Sequence, residues 1–300
     1  MARRTDDYAL YYNTDMFKKA GISEPPKTVS ELFEDAKKLT VFNPDGSIKV
    51  AGFVPYLGTY YSGNVVSTFG TMFDAKWYSD DGTTSVVNSD PAWKALAEWQ
   101  KKFVDFYGYD NLQKFVAGQG DEWGSQNDFQ TGRVAMMIDG EWRTSDNFLG
   151  NPPAVPYMTA PSPVADENTS MYGMGQLGGT IIGLPKGAPH PEEAWLLLSW
   201  MATDTPTLVY GANLLANVPT TLSSLDSPDL EVTPQFQTFL DVFQNPNSYN
   251  KGASPIGQAD QDLMAAFFAD WQAGDVPDLQ KGLDDVAQQI DDQLAQAQAP

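Results

Sequence analysis

Apolar and polar positions along this chain follow two rhythms, and the changes between them mark its elements. Leu10-Tyr11-Tyr12 is a short apolar run ending at Asn13, which reads as a strand. A helix follows, stopped by Gly21, and Pro25-Pro26 makes a stiff connector. Thr28 and Glu31 stand three apart, the spacing of a capping box, in which each side chain binds the other residue's backbone N–H. Leu32, Phe33, Ala36 and Leu39 then fall on one helical face. Trp77 to Thr84 reads as two short strands around the Asp81-Gly82 turn. Asp90-Pro91 opens a helix whose register is set by Trp93, Leu96, Gln100, Phe103 and Tyr107, with Gly108 ending it. A short helix from Asp121 leads through Gly132 to Val134-Ala135-Met136-Met137-Ile138, apolar throughout as in a strand covered on both faces. Thr180 to Leu184 is the next strand, and Pro191 opens an apolar helix through Met201. Two more helices run from about Gln258 to Ala273 and from near Pro277, the last with Leu279, Leu283, Val286, Ile290 and Leu294 on one side. Phe53 to Gly70 and Gly150 to Ser170 read as irregular. Strands alternating with helices predict α/β packing around a mostly parallel sheet.

Composition narrows the chemistry. The 300 residues carry a formal charge of −21, from 39 acidic against 18 basic residues, which makes nucleic acid a poor partner because phosphate contacts need clustered Lys and Arg. Cysteine is absent, so there are no disulfides, thiol nucleophiles or Cys-based metal sites. His190 is the single histidine, which removes most routes to general-base catalysis and to zinc, and it reads as a surface residue near a helix start. Asn43-Pro44-Asp45-Gly46-Ser47 is a plain turn rather than a calcium loop, which needs more oxygen ligands and a closing glutamate. Gly173 to Gly179 holds four glycines in seven positions, yet matches neither the P-loop nor the dinucleotide fingerprint, since a strand follows it. No metal and no cofactor is expected. No run of 18 apolar residues exists to span a membrane, and Met1 to Asp7 lacks the apolar segment of a secretory signal.

Candidate chemistry gathers where the apolar strand runs out into Asp139-Gly140-Glu141-Trp142. Ligands in open α/β sheets sit at the carboxyl ends of strands. Trp142 is either a half-buried core ring or a ligand contact. Sugars present an apolar C–H face ringed by hydroxyls, and their sites pair flat aromatic rings with polar side chains. The chain has 8 Trp, 13 Tyr and 16 Phe, more than its core demands. Tyr60 and Tyr61 lie in a glycine-bordered loop, and Trp123 stands between acidic residues and Gly124; all three are candidate ligand contacts. Trp77, Trp93, Trp99, Trp195 and Trp200 sit in helix or strand pattern and read as core. The competing reading is a glycoside hydrolase using Asp139 with Glu141, or Asp121 with Glu122. Carboxylates adjacent or two apart on one strand do not flank a bond from two sides, so this stands as the alternative.

The segment from Leu10 to Leu39, with its Tyr-Asn strand end and its Pro-Pro-Lys-Thr connector, resembles the start of the second lobe in bacterial extracellular solute-binding proteins of the sugar-importer type, the maltose-binding-protein-like family. Phe129-x-x-Gly132-Arg133-x-Ala135-Met136, running on to Gly140-x-Trp142, is similar to a second family strand. Gly178-Gly179 matches the point where the family's chain crosses back to its first lobe beside the ligand, and Gly274 to Leu283 matches its closing helices. The resemblance covers Asp7 to near Leu294. It implies a periplasmic-binding-protein-like type II fold, with residues 1–172 and 223–300 forming the C-terminal lobe and 173–222 a return segment of an N-terminal lobe otherwise missing. It further implies a binding component of an ABC importer, a lipoprotein at the cell envelope, extracellular or periplasmic, that is monomeric when full length. Such a component captures a sugar or oligosaccharide for membrane permease subunits without chemistry on it. Trp142, Tyr60, Tyr61, Trp123, Gly178 and Gly179 would line its site. A chain lacking most of one lobe should also leave Trp195, Leu197, Leu198 and Met201 exposed.

Overall fold

The computed structural model describes residues 2–55, 65–146, 148 and 153–297. Strand β1 (Ala2–Arg4) leads into β2 (Tyr8–Asn13), the centre of the main sheet. Helices α1 (Thr14–Ala20) and α2 (Val29–Leu39) follow, then the hairpin β3 (Val41–Phe42) and β4 (Ile48–Val50). Next come α3 (Val66–Met72), α4 (Pro91–Tyr107) and α5 (Tyr109–Ala117), then β5 (Met136–Gly140) and β6 (Tyr157–Pro161). Strand β7 (Thr180–Ile181) precedes α6 (Pro191–Thr203), α7 (Thr205–Leu215) and α8 (Leu222–Leu225). Helices α9 (Pro234–Gln244), α10 (Ala259–Ala273) and α11 (Leu279–Ala297) complete the chain.

The α/β class holds, but the pairing direction differs from expectation. Strand β2 pairs antiparallel with both neighbours, Leu10 opposite Ile138 on β5 and Ala160 on β6. Among the described residues parallel pairing is confined to single bridges such as Ala51 with Val134, which extends the sheet beyond β5. The apolar run Val134 to Ile138 reported burial of both strand faces correctly, and direction is not encoded in that pattern. Long excursions separate β2 from β5 and β5 from β6, and their geometry sets direction. Trp77 to Thr84 forms one bridge, Tyr78 to Ser85, around Gly82 instead of two strands, and Asp121 to Gly132 is turns instead of a helix.

Local signals were realised where they were strongest. Asn13 caps α1 by accepting the Met16 N–H, and Gly21 closes it at φ 71°, a backbone angle that favours glycine. Both halves of the Thr28–Glu31 capping box are present, and Val29, Leu32, Ala36 and Leu39 of α2 are buried. Phe33 is half-buried and meets Phe103 and Phe106 edge-on, at 4.9 and 6.2 Å. All five predicted register positions of α4 are buried, and the buried Trp99 donates its indole N–H to the Val29 carbonyl at 2.9 Å. Helix α3 was hidden in a stretch read as irregular, because its Ser67, Thr68, Gly70 and Thr71 show no apolar stripe although every residue of the helix is buried. Helices α10 and α11 pack on each other, and α10 also packs on α4, with Leu283, Val286, Ile290 and Leu294 turned inward as expected.

The segment from Gly173 to Leu222 behaves differently. Strand β1 pairs with β7, and the bridges Thr5–Val218 and Asp7–Leu177 continue the contact toward the main sheet. The strand expected through Leu184 ends at Ile181, which is 81% exposed. On α6, Trp195, Leu197 and Trp200 are exposed and Leu196 is 72% exposed, while Leu198 and Met201 are half-buried. Tyr210 on α7 is 71% exposed. Trp195 and Trp200 are therefore surface residues rather than core, because the described residues supply nothing to cover this side of α6. An exposed apolar face of this kind promotes association. Light scattering of the purified chain should show concentration-dependent self-association, and Leu196→Glu with Trp200→Glu should reduce it at unchanged helicity. Identical scattering for the two proteins would place the association elsewhere.

Candidate functional site

Strand β5 ends at Gly140 and turns into a 3₁₀ segment, Glu141–Thr144, that carries Trp142. Gly140 is held opposite Tyr8, and the Tyr11 hydroxyl donates to its carbonyl at 2.7 Å. The indole of Trp142 folds back over Gly140. A Cβ there would stand 2.2 Å from two of its ring carbons, so this backbone position has room only for glycine. The Tyr8 ring meets Trp142 edge-on at 5.7 Å and 86°. Trp142 is half-buried, and its Nε1 is buried with no acceptor among the described residues.

Trp123 stands on a separate turn in which Asp121 accepts its backbone N–H at 3.1 Å. Its side chain is 51% exposed, and its ring lies 6.4 Å from Trp142, inclined at 34°. Phe148 adds a third ring, 5.3 Å from Trp123. Beneath these rings lies Arg143, fully buried, with Nε donating to Asp139 at 2.9 Å and Nη1 and Nη2 to the Glu122 carbonyl and carboxylate at 2.6 and 3.0 Å. The guanidinium carbon is 4.3 Å from the Trp123 ring centre, a cation–π contact. Burial pushes the Asp139 carboxyl up, and the Arg143 charge opposes that shift.

The structure thus brings Trp142 and Trp123 together and adds Tyr8, Phe148 and Arg143, which sequence reasoning missed. An arginine directly after the site tryptophan and four residues after Asp139 was the available signal, but its Glu122 partner lies 21 residues away. Tyr60 and Tyr61 lie outside the described residues. Gly178 exchanges backbone hydrogen bonds with Asp6 at 2.6 and 3.4 Å, two residues before Tyr8, and Gly179 adopts φ 149°, an angle that favours glycine. Both are exposed and border the strand that carries Tyr8. A cavity of about 270 Å³ opens between α6, α7 and Val218, and its lining includes Asn217 but neither tryptophan.

Of the carboxylates offered for hydrolysis, Asp139 and Glu141 are not presented to a cleft. Asp139 is buried against Arg143, and Glu141 is buried with its oxygens accepting from Asn217 at 2.6 Å and the Asp7 N–H at 3.0 Å. Asp7 is buried as well, and no described residue donates to either of its carboxyl oxygens. Burial is the main cause raising Asp7 well above the usual carboxyl range, with Glu141 and Asp6 adding to it. Glu141 is raised by burial first and then by Asp6. A carboxyl whose folded pKa exceeds its unfolded one contributes stability at low pH that is lost as pH rises through the folded value. Stability should therefore fall as pH rises from the usual carboxyl range through the raised values of this pair. Asp7→Asn should flatten the slope, as read from urea unfolding at several pH values; parallel curves would remove this pair as its source.

The chain is 24% identical over 255 residues to a maltotriose-binding protein of Pyrococcus abyssi, an alignment covering 82% of this chain and 52% of that one. It is 30% identical over 147 residues to a maltooligosaccharide ABC transporter solute-binding lipoprotein of Streptococcus pneumoniae, covering 46% of this chain and 30% of the relative. The chain thus spans about half the length, or less, of these curated relatives. Among solved structures, mannotriose-bound CpMnBP1 superposes with a TM-score of 0.83 at 26% identity, covering 97% of this chain and 72% of that one. The maltotriose-bound maltose/maltodextrin-binding domain MalE of Bdellovibrio bacteriovorus shares the fold, with a TM-score of 0.73 at 21% identity, covering 99% and 72%. The bacterial extracellular solute-binding protein family matches residues 3–207, more than half of the sequence, and this chain belongs to that family.

Proposed function

We propose that this chain is the ligand-holding part of a sugar-binding component of an ABC importer, one that captures an oligosaccharide and delivers it to membrane permease subunits. The observation that carries the reading is the pairing of Trp142 and Trp123 from separate turns, inclined rings with an open side, beside Tyr8. Rings so arranged suit the C–H faces of successive sugars. The ligands in the printed names of the relatives, maltotriose, maltooligosaccharide and mannotriose, support the same class. Residues 173–222 fit a return segment of another lobe, since most of the large exposed apolar side chains lie there. The remainder, 1–172 and 223–300, forms the lobe that holds the tryptophans. Tyr60 and Tyr61 complete the proposed site, with Gly178 and Gly179 at the crossover. The whole protein would work as a monomer outside the cytoplasmic membrane.

This function requires no chemistry on the sugar. Asp139 and Glu141 hold the site's framework instead of flanking a bond. Titration calorimetry with maltotriose and mannotriose tests the reading. Stacking is worth about 1 kcal/mol per ring, so Trp142→Ala should weaken binding about fivefold. Gly140→Ala should do the same without touching the ligand, by evicting the ring from its seat. Release of reducing ends from either sugar, abolished by Glu141→Gln, would instead establish hydrolysis.

A further inference from the structure

Arg143 sits one residue after Trp142, but its guanidinium belongs to the other loop. Two of its nitrogens bind Glu122, next to Trp123, and the third binds Asp139 on β5. One cation thus ties the turn bearing Trp123 to the strand end bearing Trp142. It lies 4.3 Å from the centre of the Trp123 ring and 5.5 Å from that of Phe148. From these contacts we infer that Arg143 is a positioning residue for ligand recognition: it fixes the angle between the two indoles and so shapes the seat for two successive sugar rings. The inference rests on the sugar-binding reading for its consequence and on the geometry alone for its cause.

Three features separate this role from ordinary packing. Arg143 is 1% exposed, so a ligand resting on the outer face of Trp123 meets the indole and not the cation. The Trp123 turn is otherwise made by local backbone and side-chain bonds, such as those of Asp121 to the N–H groups of Trp123 and Gly124. Those bonds shape the turn without setting its distance from β5. A guanidinium is planar and its donors are fixed in one fork, so binding Asp139 and Glu122 together determines the plane on which Trp123 stacks. A lysine at this position would keep the charge and lose the plane.

The test uses the whole chain labelled with 5-fluorotryptophan, with Trp123→Phe and Trp142→Phe assigning their ¹⁹F resonances. Removing Arg143 alone would strand the buried Asp139 carboxylate, so the main variant is Asp139→Asn with Arg143→Met, beside Arg143→Lys. In the double variant the Trp123 resonance should narrow and move toward that of free 5-fluorotryptophan, with Arg143→Lys restoring it in part. In calorimetry with maltotriose and mannotriose, the double variant should weaken binding about fivefold, matching Trp123→Ala, and the combined triple variant should lose little more. An unmoved Trp123 resonance, or losses that add fully in the triple variant, would overturn the inference. If neither trisaccharide binds the unmodified chain, the sugar-binding reading fails, while the ¹⁹F spectra still decide whether Arg143 holds the ring.

Discussion

A guanidinium buried without partners would cost several kcal/mol, and the region around β5 is arranged so that this cost is not incurred. Arg143 meets the Asp139 carboxylate on one side and both a carbonyl and a carboxylate of Glu122 on the other. Asp139 in turn accepts the Gly140 N–H at 2.8 Å, which fixes where the strand stops and the 3₁₀ turn begins. That stopping point places Trp142 over Gly140 and against Tyr8. Loss of Arg143 would take from the buried Asp139 carboxylate the positive charge that offsets its burial. The aromatic surface above is thereby built on electrostatics below it.

The sequence disclosed elements whose signals are local. A capping box needs residues three apart, and Thr28 with Glu31 formed one; the amphipathic registers of α2, α4 and α11 turned inward as their spacing required. Strand direction escaped, because an apolar run such as Met136–Ile138 looks the same in either sense. Helix α3 escaped because its buried positions are small or polar and leave no stripe to read. Of the candidate site, Trp123 was singled out by its awkward placement in an acidic turn and Trp142 by the family resemblance of its strand, since its pattern alone fits a core ring equally well. Arg143, Tyr8 and Phe148 were not, since each matters through contacts with residues distant in the chain. Trp195 and Trp200 were misread as core for a related reason: periodicity shows which residues seek burial, not whether a covering surface exists.

Helices α2 and α6 show how much the surroundings decide. Helix α2 buries an apolar face and carries charged pairs beside it, Lys37 with Glu34 and Lys38 with the buried Asp35. Helix α6 has three adjacent leucines and two tryptophans, with charge only in its first turn, and most of these side chains meet solvent. A helix apolar around its circumference is at home inside a larger body. The neighbouring cavity beside α7 and Val218 belongs to the same incompletely covered side.

The central strand carries a consequence for how the chain reaches this state. Strand β2 is made before either of its partners, and Leu10 waits for Ile138 and then Ala160. During synthesis a six-residue apolar strand therefore travels without a partner while more than a hundred residues are added. Contacts so distant in sequence close slowly, since loop entropy is spent before any pairing is gained. The main sheet is therefore completed only once Ala160 has been made, long after the residues of the first helices.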